Sequence, residues 1–137
     1  MLESFDRNLL SLKGSTARVS ASGAYSENGH ASISMIFSDG TKLRAEYGRI
    51  IKDSKASISS FDHNQKYGLP APIDAIEQLN NKLHGQAIIS AWHEKSTGDL
   101  RLKFDSEIEL QIFNFTDYEI WEISFPDGTG EYSNYAK

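Results

Sequence analysis

His30, His63, His84 and His93 are the side chains best placed to move a proton near neutral pH. None falls in a His-x-His or His-Glu-x-x-His spacing, so no metal-ligand motif is present. His63 follows Asp62, and a carboxylate beside an imidazole can orient it as a general base. The same pair fits a polar turn equally well. His93 ends an apolar run and is followed by Glu94. A hydrolase using His63 or His93 with a neighbouring carboxylate is one reading of these residues. Glu107 and Glu109 lie two apart on a predicted strand and so share a side. Such a pair does acid–base work when burial raises one pKa. Here Ile108, Leu110 and Ile112 take the core side, which leaves the acids facing solvent. No serine sits in Gly-x-Ser-x-Gly. Gly128-Thr129-Gly130 lacks both the lysine and the following helix of a phosphate loop. The chain has no cysteine, which removes thiolate catalysis, thiolate metal sites and disulfides. No catalytic residue, cofactor or metal ligand is assigned.

Charge says more. The formal net charge is −5, unevenly spread. Between Lys103 and Lys137 no Lys or Arg occurs, while Asp105, Glu107, Glu109, Asp117, Glu119, Glu122, Asp127 and Glu131 do. Such a stretch attracts a cationic partner and repels nucleic acid, or is simply a solvated face. Lys42, Arg44, Arg49, Lys52 and Lys55 form a weakly basic middle around Tyr47, diluted by Glu46 and Asp53. Nucleic acid is not expected as a partner.

The elements that must position these residues come from periodicity. At 137 residues the chain fits one domain with its own core. No apolar run approaches the ~18–20 residues of a membrane span. Glu3 and Asp6 interrupt the first ten residues, so no signal peptide is expected. With the missing cysteines, a cytoplasmic setting is expected. Phe5, Leu9 and Leu12 predict a helix over about 4–13, ended by Gly14. Ile73, Ile76, Leu79 and Leu83 predict a second, with Pro72 in its first turn and Gly85 after it. Thr16 to Ala21 and Gln86 to His93 read as strands, the second with more of both faces covered. Ser38-Asp39-Gly40 joins alternating Ile33, Met35, Phe37 to Leu43, Ala45, Tyr47 in a hairpin. Asp105-Ser106 joins Leu100, Leu102, Phe104 to Ile108, Leu110, Ile112. Ser57 to Phe61 and Tyr118 to Phe125 supply a last strand each, and Pro126-Asp127-Gly128 is a turn.

Each half thus reads helix–strand–hairpin–strand. Ile33, Met35 and Phe37 match Leu100, Leu102 and Phe104 at one constant offset. The expectation is a single α+β domain, residues 1–137, with mainly antiparallel sheet. Two related modules, about 4–62 and 72–128, each carry one short covering helix, and a tail, 129–137, frays.

If the strand ending at Ile112 pairs with the one starting at Tyr118, the outward residues form one surface. Glu107, Glu109, Phe113, Asp117, Tyr118, Glu119 and Glu122 then surround an aromatic anchor with carboxylates, with Gln111 and Ile120 beside them. That surface suits a protein partner carrying basic groups, because the anchor is buried on contact and the charges steer the encounter. Alternatively, Phe113, Tyr118 and Ile120 are covered within the protein.

Gly98-Asp99-Leu100-Arg101-Leu102-Lys103-Phe104, a returning strand, then Tyr118-Glu119-Ile120-Trp121-Glu122-Ile123 resembles small bacterial immunity proteins of contact-dependent growth inhibition and polymorphic toxin systems. The resemblance covers most of 73–128 and, through the duplication, loosely 5–61. Its motifs are strand and turn signals. The chain departs at Ser106-Glu107, where such proteins often carry Asp-Gly. The resemblance implies a non-enzymatic cytoplasmic protein whose partner is a cognate toxin domain. Toxin domains that attack nucleic acid present basic clefts, which the acidic surface would occlude. The alternative is a small-ligand-binding or scaffold domain with a cleft between the modules.

Overall fold

The computed structural model describes residues 2–25, 31–114 and 120–133. The first half supplies α1 (Leu2–Leu10), β1 (Ala17–Tyr25), β2 (Ala31–Phe37), β3 (Lys42–Ala45), β4 (Gly48–Lys52) and β5 (Lys55–Ser59), then a 3₁₀ turn, Ser60–Asp62. The second supplies α2 (Ala75–Leu83), β6 (Ile88–Glu94), β7 (Asp99–Phe104), β8 (Ile108–Ile112), β9 (Trp121–Ser124) and β10 (Gly130–Tyr132). The halves therefore have the same order, a helix followed by five strands. The fold is α+β with antiparallel sheets, as the periodicity predicts.

The strands form two five-stranded sheets, ordered β1-β2-β3-β9-β10 and β6-β7-β8-β4-β5. Each sheet is a three-stranded meander from one half, completed by the last two strands of the other. The seams repeat atom for atom. At one, the Glu46 N–H donates to the Ile120 carbonyl at 3.0 Å; at the other, the Phe113 N–H donates to the Tyr47 carbonyl at 3.2 Å. A buried serine after each half's last strand then ties down the strand crossing over. Ser60 Oγ accepts from the Gly48 N–H at 3.0 Å, and Ser133 Oγ accepts from the Ile120 N–H at 2.7 Å. Both serines are fully buried, so these bonds satisfy backbone donors that water cannot reach.

The helices are exchanged as well. α1 packs on β6 and α2 on β1, so each covers the other half rather than its own. Asp74 starts α2, its carboxylate accepting from the Glu77 N–H at 3.0 Å. Pro72 consequently lies before the helix, not in its first turn. Asn80, on α2, accepts from the Val19 N–H at 2.9 Å and so fills a donor on the edge of β1.

The inward residues of both sheets and both helices make one core, including Phe5, Leu9, Met35, Ile50, Leu79, Leu102, Leu110 and Trp121. Trp121 donates Nε1–H to the Gly98 carbonyl at 2.9 Å, and its ring stacks on Phe5 with centroids 6.0 Å apart. Gly48 allows β4 to cross here, since a Cβ would come within 2.9 Å of Ile112 Cδ1 and 3.3 Å of the Gln111 carbonyl oxygen.

Several expected boundaries shift. The last strand of the first half is Lys55–Ser59, and Phe61 is exposed on the 3₁₀ turn rather than on a strand. β4 was not expected. Nor was β10, for Gly130–Tyr132 is a strand and Ser133 is buried, where a fraying tail was expected. β9 starts at Trp121, and its expected residues 118 and 119 lie outside the described residues.

Candidate partner-binding surface

β8 and β9 do not pair. β8 lies between β4 and β7 in one sheet, and β9 between β3 and β10 in the other. The single acidic surface expected from their pairing therefore does not form. Glu107 is not on a strand face at all. It sits in the β7–β8 turn, where Ser106 and Glu107 both take positive φ, 61° and 59°. Glu122 lies on the outward side of β9, where its Oε1 takes Nε and Nη2 of Arg44, each at 2.9 Å. Glu109 belongs to the other sheet, and Phe113 follows the end of the same strand, β8. Asp117, Tyr118 and Glu119 lie outside the described residues. Ile120 is half-buried at the seam.

The outward side of the β6–β7–β8–β4 sheet carries a different constellation. Register places Trp92, Arg101, Gln111 and Arg49 directly across from one another on four adjacent strands. The neighbouring row holds Ser90, Lys103, Glu109 and Ile51. Several of these side chains hold one another. Arg49 Nε donates to Gln111 Oε1 at 2.9 Å, and Gln111 Nε2 donates to Glu109 Oε2 at 2.7 Å. The Arg49 guanidinium lies 4.9 Å from the centre of the Phe113 ring, a cation–π contact. Trp92 Nε1 donates to Glu94 Oε1 at 2.9 Å. Arg101 Nη1 stands 3.7 Å from Glu109 Oε2, and its Nε is buried with no hydrogen-bond partner among the described residues. The Arg101 and Glu109 side chains remain 32% and 24% exposed. A row of this kind combines charged donors with aromatic faces. It can dock a surface.

No known family, curated protein or solved structure matches this chain.

The other sequence candidates are separated. Asp62 does not orient His63. Its Oδ1 accepts from the Tyr67 hydroxyl at 3.0 Å, which raises the Tyr67 pKa. The acid beside His63 Nδ1 is Asp74, at 3.7 Å. His93 is buried, with neither ring nitrogen hydrogen-bonded among the described residues, 5.6 Å from Phe5 and 6.1 Å from Trp121 between ring centres. That burial lowers its pKa. His84 is exposed at the end of α2, and His30 lies outside the described residues. Among the described residues no group of three or more His, Cys, Asp or Glu could hold a metal ion. No helix among the described residues is long and apolar enough to cross a membrane.

The basic middle of the sequence is also divided. Lys42 and Arg44 stand on β3 in one sheet, whereas Arg49, Lys52 and Lys55 belong to β4 and β5 in the other. Strand parity announces Arg101 and Lys103 as outward residues. Trp92 was missed because the β6–β7 register shifts between Ile88 and Ser90, and Arg49 because β4 was not expected.

Proposed function

We propose that this chain is an immunity-type binding protein that neutralises a cognate toxin domain by covering its active site. The observation that supports the reading is the outward row Trp92–Arg101–Gln111–Arg49 with Phe113 beside it. Tryptophan and arginine are the residue types that most often dominate protein–protein binding energy, above all when their orientation is fixed before contact. The cytoplasm is the proposed location, where the toxin would act. The acidic surface expected to meet a basic cleft is replaced here by this row, because Glu122 is bound by Arg44 and Glu109 by Gln111 beside Arg101.

Calorimetry with the domain encoded beside this gene tests the reading. Nanomolar binding is expected. Trp92→Ala is expected to cost about 2 kcal/mol, while Ile36→Ser, on the outward side of the other sheet, leaves affinity unchanged. Absence of binding would reject the function. Binding that is weakened by Ile36→Ser and not by Trp92→Ala would reject the surface.

A second reading has one observation in its favour. An open groove of about 490 Å³ lies between the halves, with Thr16, Arg18 and Ile36 from the first and Asn80 and His84 from the second. A small molecule that co-purifies with the protein and stays bound in native mass spectrometry would favour it.

A further inference from the structure

From the same row, and resting on the binding reading above, we infer the partner's chemistry: it presents two carboxylates, about two strand spacings apart, to Arg49 and Arg101. The inventory of hydrogen-bonding groups carries this. Gln111 is engaged at both ends in the row, its Oε1 taken by Arg49 and its Nε2 given to Glu109. Each guanidinium has five N–H donors and no acceptor. Arg49 places one on Gln111. Arg101 has only a long 3.7 Å approach to Glu109 Oε2, the oxygen already held by Gln111; its Nε is buried, so a partner reaches its terminal nitrogens. Lys103, exposed in the next row, adds three donors. Among the described residues the face thus has more open donors than open acceptors.

A carboxylate matches a guanidinium fork with two parallel bonds. Arg49 and Arg101 flank β8 on either side, so their backbones stand about 10 Å apart. Two acids separated by two turns of a helix, about 10 Å along its axis, meet both. Trp92 and Phe113 border the row and supply apolar contact. A polyanion such as nucleic acid would meet the same arginines but is disfavoured by the net charge of −5. A protein surface with only a local acidic pair meets far less of this repulsion.

The test uses the full chain and the domain encoded beside its gene. Arg49→Gln/Arg101→Gln is expected to lower affinity at least about tenfold. Arg49→Lys/Arg101→Lys is expected to recover only part of it, because lysine keeps the charge and loses the fork. Reversing the responsible partner acids to lysine should restore binding to Arg49→Glu/Arg101→Glu. Thermal midpoints of the variants confirm that they fold, and the lysine pair serves as the milder probe if the glutamine pair does not. Unchanged affinity in the glutamine pair, with Trp92→Ala still weakening binding, overturns the carboxylate inference and leaves the binding surface standing. Unchanged affinity in every variant overturns both. Binding of a twenty-nucleotide oligo(dT) that is abolished in the glutamine pair also overturns it, in favour of a nucleic acid.

Discussion

At the scale of single residues, His93 is the least conventional choice in the core. It is boxed by Phe5 and Trp121, with both ring nitrogens unbonded among the described residues, and desolvation lowers its pKa, an effect that Asp6 opposes and Lys95 reinforces. The folded protein therefore holds His93 neutral, whereas the unfolded chain takes up a proton near the ordinary value of about 6.5. Below that pH the unfolded state binds more protons, so stability falls as pH falls, until the lowered folded pKa is passed. Above it the contribution is fully present. His93→Phe fills the same aromatic box without a titrating group. Urea unfolding at pH 7.5 and pH 5.0 should show a smaller acid loss in His93→Phe than in the unsubstituted protein. Equal losses would mean that His93 is protonated and accommodated in the folded state. From sequence, His93 read as the end of a strand, and its polar type concealed a core position. Strand parity, with Ala91 and His93 inward and Trp92 outward, was the usable signal.

At the scale of elements, the turns explain which strands were legible. Asp39-Gly40 announces the β2–β3 hairpin, and Gly40 takes φ +98° there. β4 and β5 are joined by Asp53 and Ser54 between the paired Lys52 and Lys55, both central residues at positive φ, 51° and 66°. That is a two-residue hairpin built from residues that do not favour its geometry. The signal was missing and β4 was overlooked. Replacing Asp53-Ser54 by Asn-Gly should raise unfolding stability by about 1 kcal/mol, read as a higher urea midpoint at unchanged slope. A lower midpoint would show that Asp53 or Ser54 makes a contact worth more than the strain. The β7–β8 turn has the same character at Ser106 and Glu107, and it is why Glu107 left the strand face expected for it. Asn80 shows the opposite limit. Its bond to the Val19 N–H joins two elements from different halves, which no local pattern encodes. Asn80→Ala should speed hydrogen exchange at the Val19 amide by about tenfold. Unchanged exchange would mean that another acceptor replaces it.

At the scale of the whole molecule, the exchange of β4–β5 for β9–β10, and of α1 for α2, makes each half incomplete alone. Residues 1–68 would carry β1–β3 without the strands that extend that sheet, and an unpaired β4–β5 hairpin. An isolated two-stranded hairpin is marginal in water. The two fragments 1–68 and 69–137, cut beside the exposed Tyr67 and Leu69, should each lack a cooperative thermal transition by circular dichroism. Mixed in equal amounts they should regain one. A cooperative transition in either fragment alone, monomeric by sedimentation, would contradict this account of the core.

The sequence by itself determined the α+β class and the inward set of each meander, because those depend on a residue and its neighbours two or four places away. Phe5, Leu9, Ile33, Met35, Leu100 and Leu102 are buried as their spacing requires. Only the tertiary structure decided which strand lies beside which. β8 and β9 are neighbours in the chain and could have paired with little loop entropy to overcome. Instead, β8 stays in its own half's meander and takes β4 as its neighbour, while β9 crosses to the other half's meander. That exchange buries Trp121 and Ile112 in one shared core and seats Ser60 and Ser133 on otherwise unpaired amides. The gain comes from contacts between residues far apart in the chain, which no local pattern records. The candidate surface inherits that dependence. Arg49 and Arg101 meet across β8 only because β4 leaves its own half.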